Sequence, residues 1–171
     1  MHTPKSGRAA WVGALAALVG LGGLIALPAD SGAAERAVPR FVSLRADKVN
    51  VRAGPGVQYP IVWVFVRRGL PVEVVAEFDL WRKIRDREGV EGWVHRSLLA
   101  GTRAVIVTGD THVLYRDPDA ASAPVAQVEA GVVARLLACT AQWCRVKAAS
   151  HRGWIERAHL WGVYPSEQKF D

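Results

Sequence analysis

The sequence predicts an all-β protein with two small barrels in tandem, preceded by a short N-terminal export segment. Short β-branched and aromatic runs, separated by Gly, Pro and Asp, are typical of small barrels and sandwiches. The same order of runs returns 61 to 63 residues further along the chain. Before both copies stands one uncharged apolar stretch.

The first 34 residues have the composition of an export signal. Lys5 and Arg8 form a basic head, an uncharged apolar run covers residues 9–27, and small residues precede Glu35. This order of basic head, apolar middle and small-residue end predicts a cleaved signal peptide. An uncleaved membrane anchor is the alternative, because roughly 19 apolar residues can just span a bilayer. Pro28 and the glycines of the run favour cleavage.

Export determines which partners the protein can meet. The chain has 22 Lys+Arg and 16 Asp+Glu, and cleavage would remove Lys5, Arg8 and Asp30, which leaves a net charge of +5. In the periplasm or the cell envelope we expect no nucleic-acid partner, and membrane contact only if the signal stays uncleaved. A positive surface attracts anionic envelope polymers in a salt-dependent way. The same charge can also serve solubility alone.

Beyond the signal, the chain contains two tandem copies of one module. We assign module one to residues 40–101 and module two to residues 102–164, joined by the segment LLAGTRAV. The tail at 165–171 is expected to be frayed. The matching segments are VNVRAGPG (49–56) with HVLYRDPD (112–119), LWRKI (80–84) with QWCRV (142–146), and EGWVHRSLL (91–99) with RGWIERAHL (152–160).

Alternating apolar residues predict a separate core in each module. In module one the predicted core residues are Val49, Val51, Val62, Val64, Val72, Val74, Trp81, Ile84, Trp93, Val94, Leu98 and Leu99. In module two they are Val113, Leu114, Val125, Val128, Val133, Leu136, Trp143, Val146, Trp154, Ile155 and Leu160. Gly92 and Gly153 each precede a tryptophan on the last strand, where a glycine lets another backbone or a large ring approach closely.

These motifs resemble the bacterial SH3 domain, the SH3b type of exported bacterial proteins. Module one matches in its N-V-R-x-G-P segment, in a later W-x-x-[IV], and in a closing G-W-[VI] followed by paired leucines. Module two resembles the variant with CxxxWCRV, but LYRDPDAASAP replaces VRAGPGVQYP in its first loop. The resemblance implies a five-stranded small barrel with a binding role, often toward cell-wall peptidoglycan or its stem peptides.

No enzymatic motif is visible, so we expect no catalytic residue, metal site or cofactor. The segment RAGPG lacks the Gly-Lys-Ser/Thr ending of a phosphate loop, and no helical pattern follows it. The five histidines have no ligand spacing supported by carboxylates or cysteines. Asp79, Asp86 and Glu88 lie in predicted turns beside arginines, where neither a protonated acid nor a glycosidase pair is expected.

The two cysteines, Cys139 and Cys144, stand five positions apart in CTAQWC. In an exported chain, an even number of closely spaced cysteines predicts a disulfide, here one that closes a hairpin. Free thiols and a catalytic thiolate with a histidine base are the alternatives. No cell-wall peptidase motif surrounds either cysteine.

Binding is therefore the expected role, and module one carries the candidate site. In barrels of this type the ligand usually lies where the first loop faces a later hairpin, a region that offers Arg52, Tyr59, Trp63 and Phe78. Aromatic rings stack on sugars, and an arginine can bind a carboxylate of a stem peptide. Trp63 could instead be a packing residue within or between the modules. The expected partner is peptidoglycan or an envelope protein, and the alternative function is that of an adaptor or sensor module.

Overall fold

The computed structural model describes residues 37–167. The predicted signal peptide at 1–34 and residues 168–171 of the tail lie outside this range. The strands of module one are β1 (Arg40–Leu44), β2 (Val49–Arg52), β3 (Ile61–Phe65), β4 (Pro71–Phe78), β5 (Trp81–Arg85), β6 (Glu91–His95) and β7 (Leu99–Ala100). Those of module two are β8 (Ala104–Val107), β9 (His112–Tyr115), β10 (Pro124–Val128), β11 (Val133–Cys139), β12 (Trp143–Ala148), β13 (His151–Glu156) and β14 (Leu160–Trp161).

Both modules have the same topology, which confirms the tandem all-β prediction. The first sheet has the strand order β3-β2-β6-β5-β4-β1-β7, and the second has the order β10-β9-β13-β12-β11-β8-β14. A single-turn 3-10 helix, Arg96–Leu98 or Arg157–His159, precedes the last strand of each module. The segment predicted as a simple joint contains β7 and the start of β8, which pair with the first strand of module one and the last strand of module two.

Each module has its own apolar core, as predicted, but its membership differs from the prediction. Val62, Val64 and Val125 are exposed, because β3 and β10 stand at sheet edges where the cores do not reach. The four tryptophans assigned to the cores, Trp81, Trp93, Trp143 and Trp154, are only half-buried. Their neighbours in the alternating pattern fill the cores instead. The prediction also missed the first strand of each module, which contributes Val42 and Leu44 or Val105 and Val107.

The expectation for Gly92 and Gly153 is confirmed. A Cβ atom on Gly92 would lie 2.4 Å from Val51 Cγ1 and 3.0 Å from the Arg52 carbonyl oxygen. A Cβ on Gly153 would lie 2.8 Å from Leu114 Cβ. Both distances are shorter than normal van der Waals contact, so only glycine lets β2 and β6, or β9 and β13, cross this closely.

The last residues of module two contact module one. The ring of Phe41 in β1 packs against Trp161 and Tyr164, with centroids 5.1 and 4.7 Å apart. The Tyr164 hydroxyl donates a hydrogen bond to Glu73 in β4. These contacts cover the outer side of the first sheet at β1 and β4, so the two modules form one compact unit.

The segment at 162–167, which we call the strap, is held by two arginines. Arg157 is buried, and its guanidinium donates hydrogen bonds to the carbonyls of Tyr164, Pro165 and Glu167 in the strap. Arg103 donates to the Gly162 carbonyl at 2.8 Å and forms an ion pair with Glu167. The expectation of a frayed tail is therefore wrong for residues 165–167. Among residues 37–167, no helix has the length and apolar character that crossing a bilayer requires.

Candidate binding site

Arg52, at the end of β2, organises the first loop of module one. Its Nη1 donates hydrogen bonds to the carbonyls of Val57 at 2.9 Å and Tyr59 at 2.7 Å. The Tyr59 ring lies over Gly54, where an added Cβ would be 2.5 Å from the ring. The loop at 53–60 is therefore shaped by Arg52 from one side and by the close approach of a ring from the other. Tyr59 itself remains exposed.

Strand register places an aromatic ring and a second cation beside Arg52. Arg52 stands opposite Trp93 in β6, which in turn stands opposite Lys83 in β5. Cross-strand partners project from the same face of a sheet. Their buried neighbours face the core, so Arg52, Trp93 and Lys83 form a line on the outer surface; these neighbours are Val51, Ile84, Gly92 and Val94. We call this line the outer row.

The Lys83 ammonium lies 2.5 Å from the Glu91 carboxylate. This hydrogen bond keeps the pKa of Glu91 below its ordinary value. Both side chains are about one third exposed, so the pair stands in contact with solvent. The outer row therefore presents two cationic groups around an indole, with one carboxylate at its margin.

Trp63 lies elsewhere, at the junction of the modules. It pairs with Val51, and its ring meets Phe65 edge-on with centroids 6.5 Å apart. Together with Arg67 and Arg87 it lines a groove of about 330 Å³ whose other side includes Ile106 and Gly131 of module two. We call this the junction groove. Trp63 is nevertheless about half exposed, so it does not belong to the core.

Phe78 stands at the end of the β4–β5 hairpin and is largely exposed. It pairs with Trp81, whose indole meets the His95 ring edge-on at 5.5 Å. Strands β5 and β6 separate β4 from β2 in the sheet. The structure thus brings Arg52 and Tyr59 together but places Trp63 in the junction groove and Phe78 at a hairpin end.

Trp93 and Lys83 are the residues that the sequence-based site did not contain. From its position in the strand, Trp93 is predicted to lie in the core. The alternation around it carried the opposite signal, since a glycine and a valine that both face inward leave the residue between them facing outward. Lys83 then follows from pairing β5 with β6, which the sequence does not specify.

Module two has a different surface at the same place. Tyr115 occupies the position of Arg52 and pairs with Trp154. Its ring meets the indole of Trp143 edge-on at 5.8 Å. Glu156 stands where module one has His95. The second outer surface therefore lacks the arginine that distinguishes the first.

Cys139 and Cys144 form a disulfide, as predicted. They are directly opposite each other in the β11–β12 hairpin, with their Cα atoms 4.0 Å apart. The bridge lies against the core of module two. Within residues 37–167, no cluster of three or more histidine, cysteine, aspartate or glutamate side chains could hold a metal ion.

Two antiparallel sheets of identical strand order, each around its own core, define the molecule as a tandem of small SH3-like β-barrel modules. The family model of the bacterial SH3 domain matches residues 45–101 and 108–162. The chain therefore belongs to the bacterial SH3 domain family, with two copies of the domain.

Similarity beyond the family is limited. A search of curated proteins found no match. Among solved structures, NlpC2 from Trichomonas vaginalis is 14% identical, with a TM-score of 0.34, over 72% of this chain and 48% of that one. NlpC1 from the same organism is also 14% identical, with a TM-score of 0.33, over 71% of this chain and 45% of that one. The chain thus spans about half the length of either structure.

Proposed function

We propose that this is an exported, non-enzymatic binding protein that recognises peptidoglycan, or another anionic component of the cell envelope, through module one. The observation that supports this function is the outer row beside the first loop, where Arg52 and Lys83 flank the indole of Trp93 and Tyr59 stands exposed nearby. Bacterial SH3 domains are often cell-wall binding modules. The disulfide and the apolar N-terminal stretch support export.

The proposed ligand chemistry follows from these side chains. Exposed rings offer faces on which sugar rings stack, and cations bind the carboxylates of stem peptides. Both loop hydrogen bonds of Arg52 use Nη1. None of the hydrogen bonds found within residues 37–167 uses its Nε or Nη2, so these donors can form a fork toward a carboxylate. Trp63 and Phe78 lie outside this surface and are not assigned to it.

A sedimentation assay with purified, insoluble peptidoglycan tests the proposal. The wild-type protein should pellet with the wall material, and added salt should weaken this binding because the attraction is partly electrostatic. Tyr59→Ala and Lys83→Gln should each reduce the pelleted fraction severalfold with little change in melting temperature. Arg145→Gln is the matched control, since Arg145 holds the position of Lys83 in module two.

Equal pelleting of wild type and both module-one variants would refute this site. A protein that stays in the supernatant at every salt concentration would favour the adaptor function instead. Release of soluble wall fragments by the purified protein would contradict a non-enzymatic role.

A further inference from the structure

The strand β3 exposes an unusual run of apolar residues. The exposed fractions of Ile61, Val62, Trp63 and Val64 are 37–51%, and that of Val66 just beyond the strand is 78%. β3 is also the first strand in the order of its sheet, so one side of its backbone has no strand partner among residues 37–167. Exposed edge strands are ready templates for pairing and are normally protected by charge or proline. β3 contains neither.

The matched edge in module two is protected. Strand β10 begins with Pro124 and carries the polar Gln127, and its last residue, Val128, is buried in the core of module two. Since both modules share one topology, the apolar edge of module one is not a requirement of the fold. It is a property of this strand alone, and a surface of this kind marks an interaction site.

The surroundings of β3 favour a partner that binds as a single extended segment. The junction groove lies along the strand from Trp63 onward, and Ile106 and Gly131 of module two form its opposite side. An extended segment can enter between these two walls. A second copy of the barrel would clash with module two at this place.

The charges at the end of β3 indicate what should flank that segment. Arg67 and Arg68 follow the strand directly, and within residues 37–167 no carboxylate forms an ion pair with either. Arg87 also lines the groove, beside the carboxylates of Asp86 and Glu88, and its ion pair with Glu88 is 3.8 Å long. These two carboxylates offset Arg87, so Arg67 and Arg68 are the cations that complement an apolar segment with acidic residues at one end.

We propose that β3 and the junction groove bind an extended apolar segment of a partner protein, which adds to the sheet as an antiparallel strand. Backbone hydrogen bonds to a free edge supply the affinity in this mode of recognition, and alternate side chains supply the specificity. In an antiparallel pair the beginning of the bound segment lies beside the end of β3. The acidic residues therefore precede the apolar stretch and meet Arg67 and Arg68. Binding of this segment does not depend on wall binding, although the two surfaces adjoin where Ile61 of β3 pairs with Arg52.

Two fluorescein-labelled octapeptides test the proposal on the full mature chain, by anisotropy. The first is Asp-Glu-Thr-Val-Thr-Val-Thr-Val and the second begins with Lys-Lys before the same six residues. We expect the acidic peptide to bind about tenfold more tightly, since each exposed charge pair contributes only a modest free energy. Val62→Lys with Val66→Lys should abolish binding, and Arg67→Glu with Arg68→Glu should reverse the preference between the peptides.

Val125→Lys, on the corresponding edge of module two, is the matched control and should bind both peptides as the wild type does. Thermal melts of each variant separate lost binding from lost folding. Failure of the acidic peptide to bind, or equal binding of both peptides, would overturn the proposal. So would a concentration-dependent dimer in sedimentation equilibrium that Val62→Lys with Val66→Lys dissolves, because β3 would then be occupied by a second copy. The outer row is intact in all these variants, so each should still pellet with peptidoglycan, with changes no larger than its altered net charge produces.

Discussion

The hydroxyl of Tyr164 donates a 2.6 Å hydrogen bond to Oε1 of Glu73 and so joins the strap of module two to β4 of module one. Glu73 is buried, and its other oxygen accepts two hydrogen bonds from the Arg85 guanidinium at 3.0 and 2.7 Å. Both carboxylate oxygens are therefore satisfied, one from each module. Burial and the bond to Glu73 raise the pKa of Tyr164 well above its ordinary value. The hydrogen bond to Glu73 likewise raises the pKa of Arg85.

The raised pKa of Tyr164 predicts that the folded protein loses stability at alkaline pH. A group whose pKa is higher in the folded state stabilises the fold fully below its unfolded pKa, here about 10, and loses this contribution as pH rises toward the folded value. The free energy of unfolding should thus fall above about pH 10 more steeply in the wild type than in Tyr164→Phe. Urea titrations at several pH values measure this. Tyr115→Phe should keep the wild-type slope, and a slope shared by all three proteins would contradict the prediction.

Arg157 should be essential for the strap. Its guanidinium donates hydrogen bonds to the carbonyls of Tyr164, Pro165 and Glu167, and its loss would leave these carbonyls without that donor. We expect Arg157→Leu to cost about 2 to 4 kcal/mol of stability. It should also speed amide exchange at 162–167, measured by hydrogen–deuterium exchange. Arg96→Leu, the exposed counterpart in module one, should change stability by less than about 0.5 kcal/mol. Similar effects of the two substitutions would refute this role.

The close crossings at Gly92 and Gly153 should not tolerate a methyl group. Gly92→Ala and Gly153→Ala are each expected to destabilise their module by about 1 to 3 kcal/mol, because the added Cβ meets a packed side chain and a backbone oxygen. Thermal or urea unfolding measures the loss. If an alanine at either site left stability unchanged, the strands would not cross as closely as the structure shows.

Reduction of the disulfide should weaken module two only modestly. The bridge closes a short loop, so its stabilisation should be on the order of 2 kcal/mol. Urea unfolding with and without reductant should show this difference, and a double variant, Cys139→Ala with Cys144→Ala, should match the reduced protein. Native, unreduced protein should show no thiol to a thiol reagent. Two titratable thiols would contradict the bridge.

The sequence predicted the duplication, the disulfide and most of the strands, because these depend on local patterns, but it missed the first strand of each module. Alternation and turn residues specify short strands, and a repeated order of motifs specifies a repeated module. It did not predict which alternating valines are buried. Val62 and Val74 stand in similar patterns, but one lies on an edge strand and the other between two strands. Burial at these positions depends on the order of strands in the sheet, which no single segment encodes.

The strap shows a second limit. Arg96 and Arg157 occupy the same place in the repeated motif, yet the first is exposed and the second is buried under the strap. The difference comes from residues beyond the motif, which cover one module and not the other. For the same reason, the four residues predicted to form one site lie in different places in the structure. Arg52 and Tyr59 belong to one local loop and were placed together, whereas Trp63 and Phe78 depend on distant pairings.

Phe41 of module one contacts Tyr164, which is near the end of the chain. Packing of the two barrels can therefore be completed only after nearly all of the chain has been synthesised. Module one has all its strands once residue 100 has been made, but the ring that covers its first strand is encoded more than sixty residues later. A chain that ends before Trp161 would lack both rings that pack on Phe41. Truncations near the C-terminus should therefore also affect module one. They should expose Phe41 in β1 and increase aggregation, and should not only unfold module two.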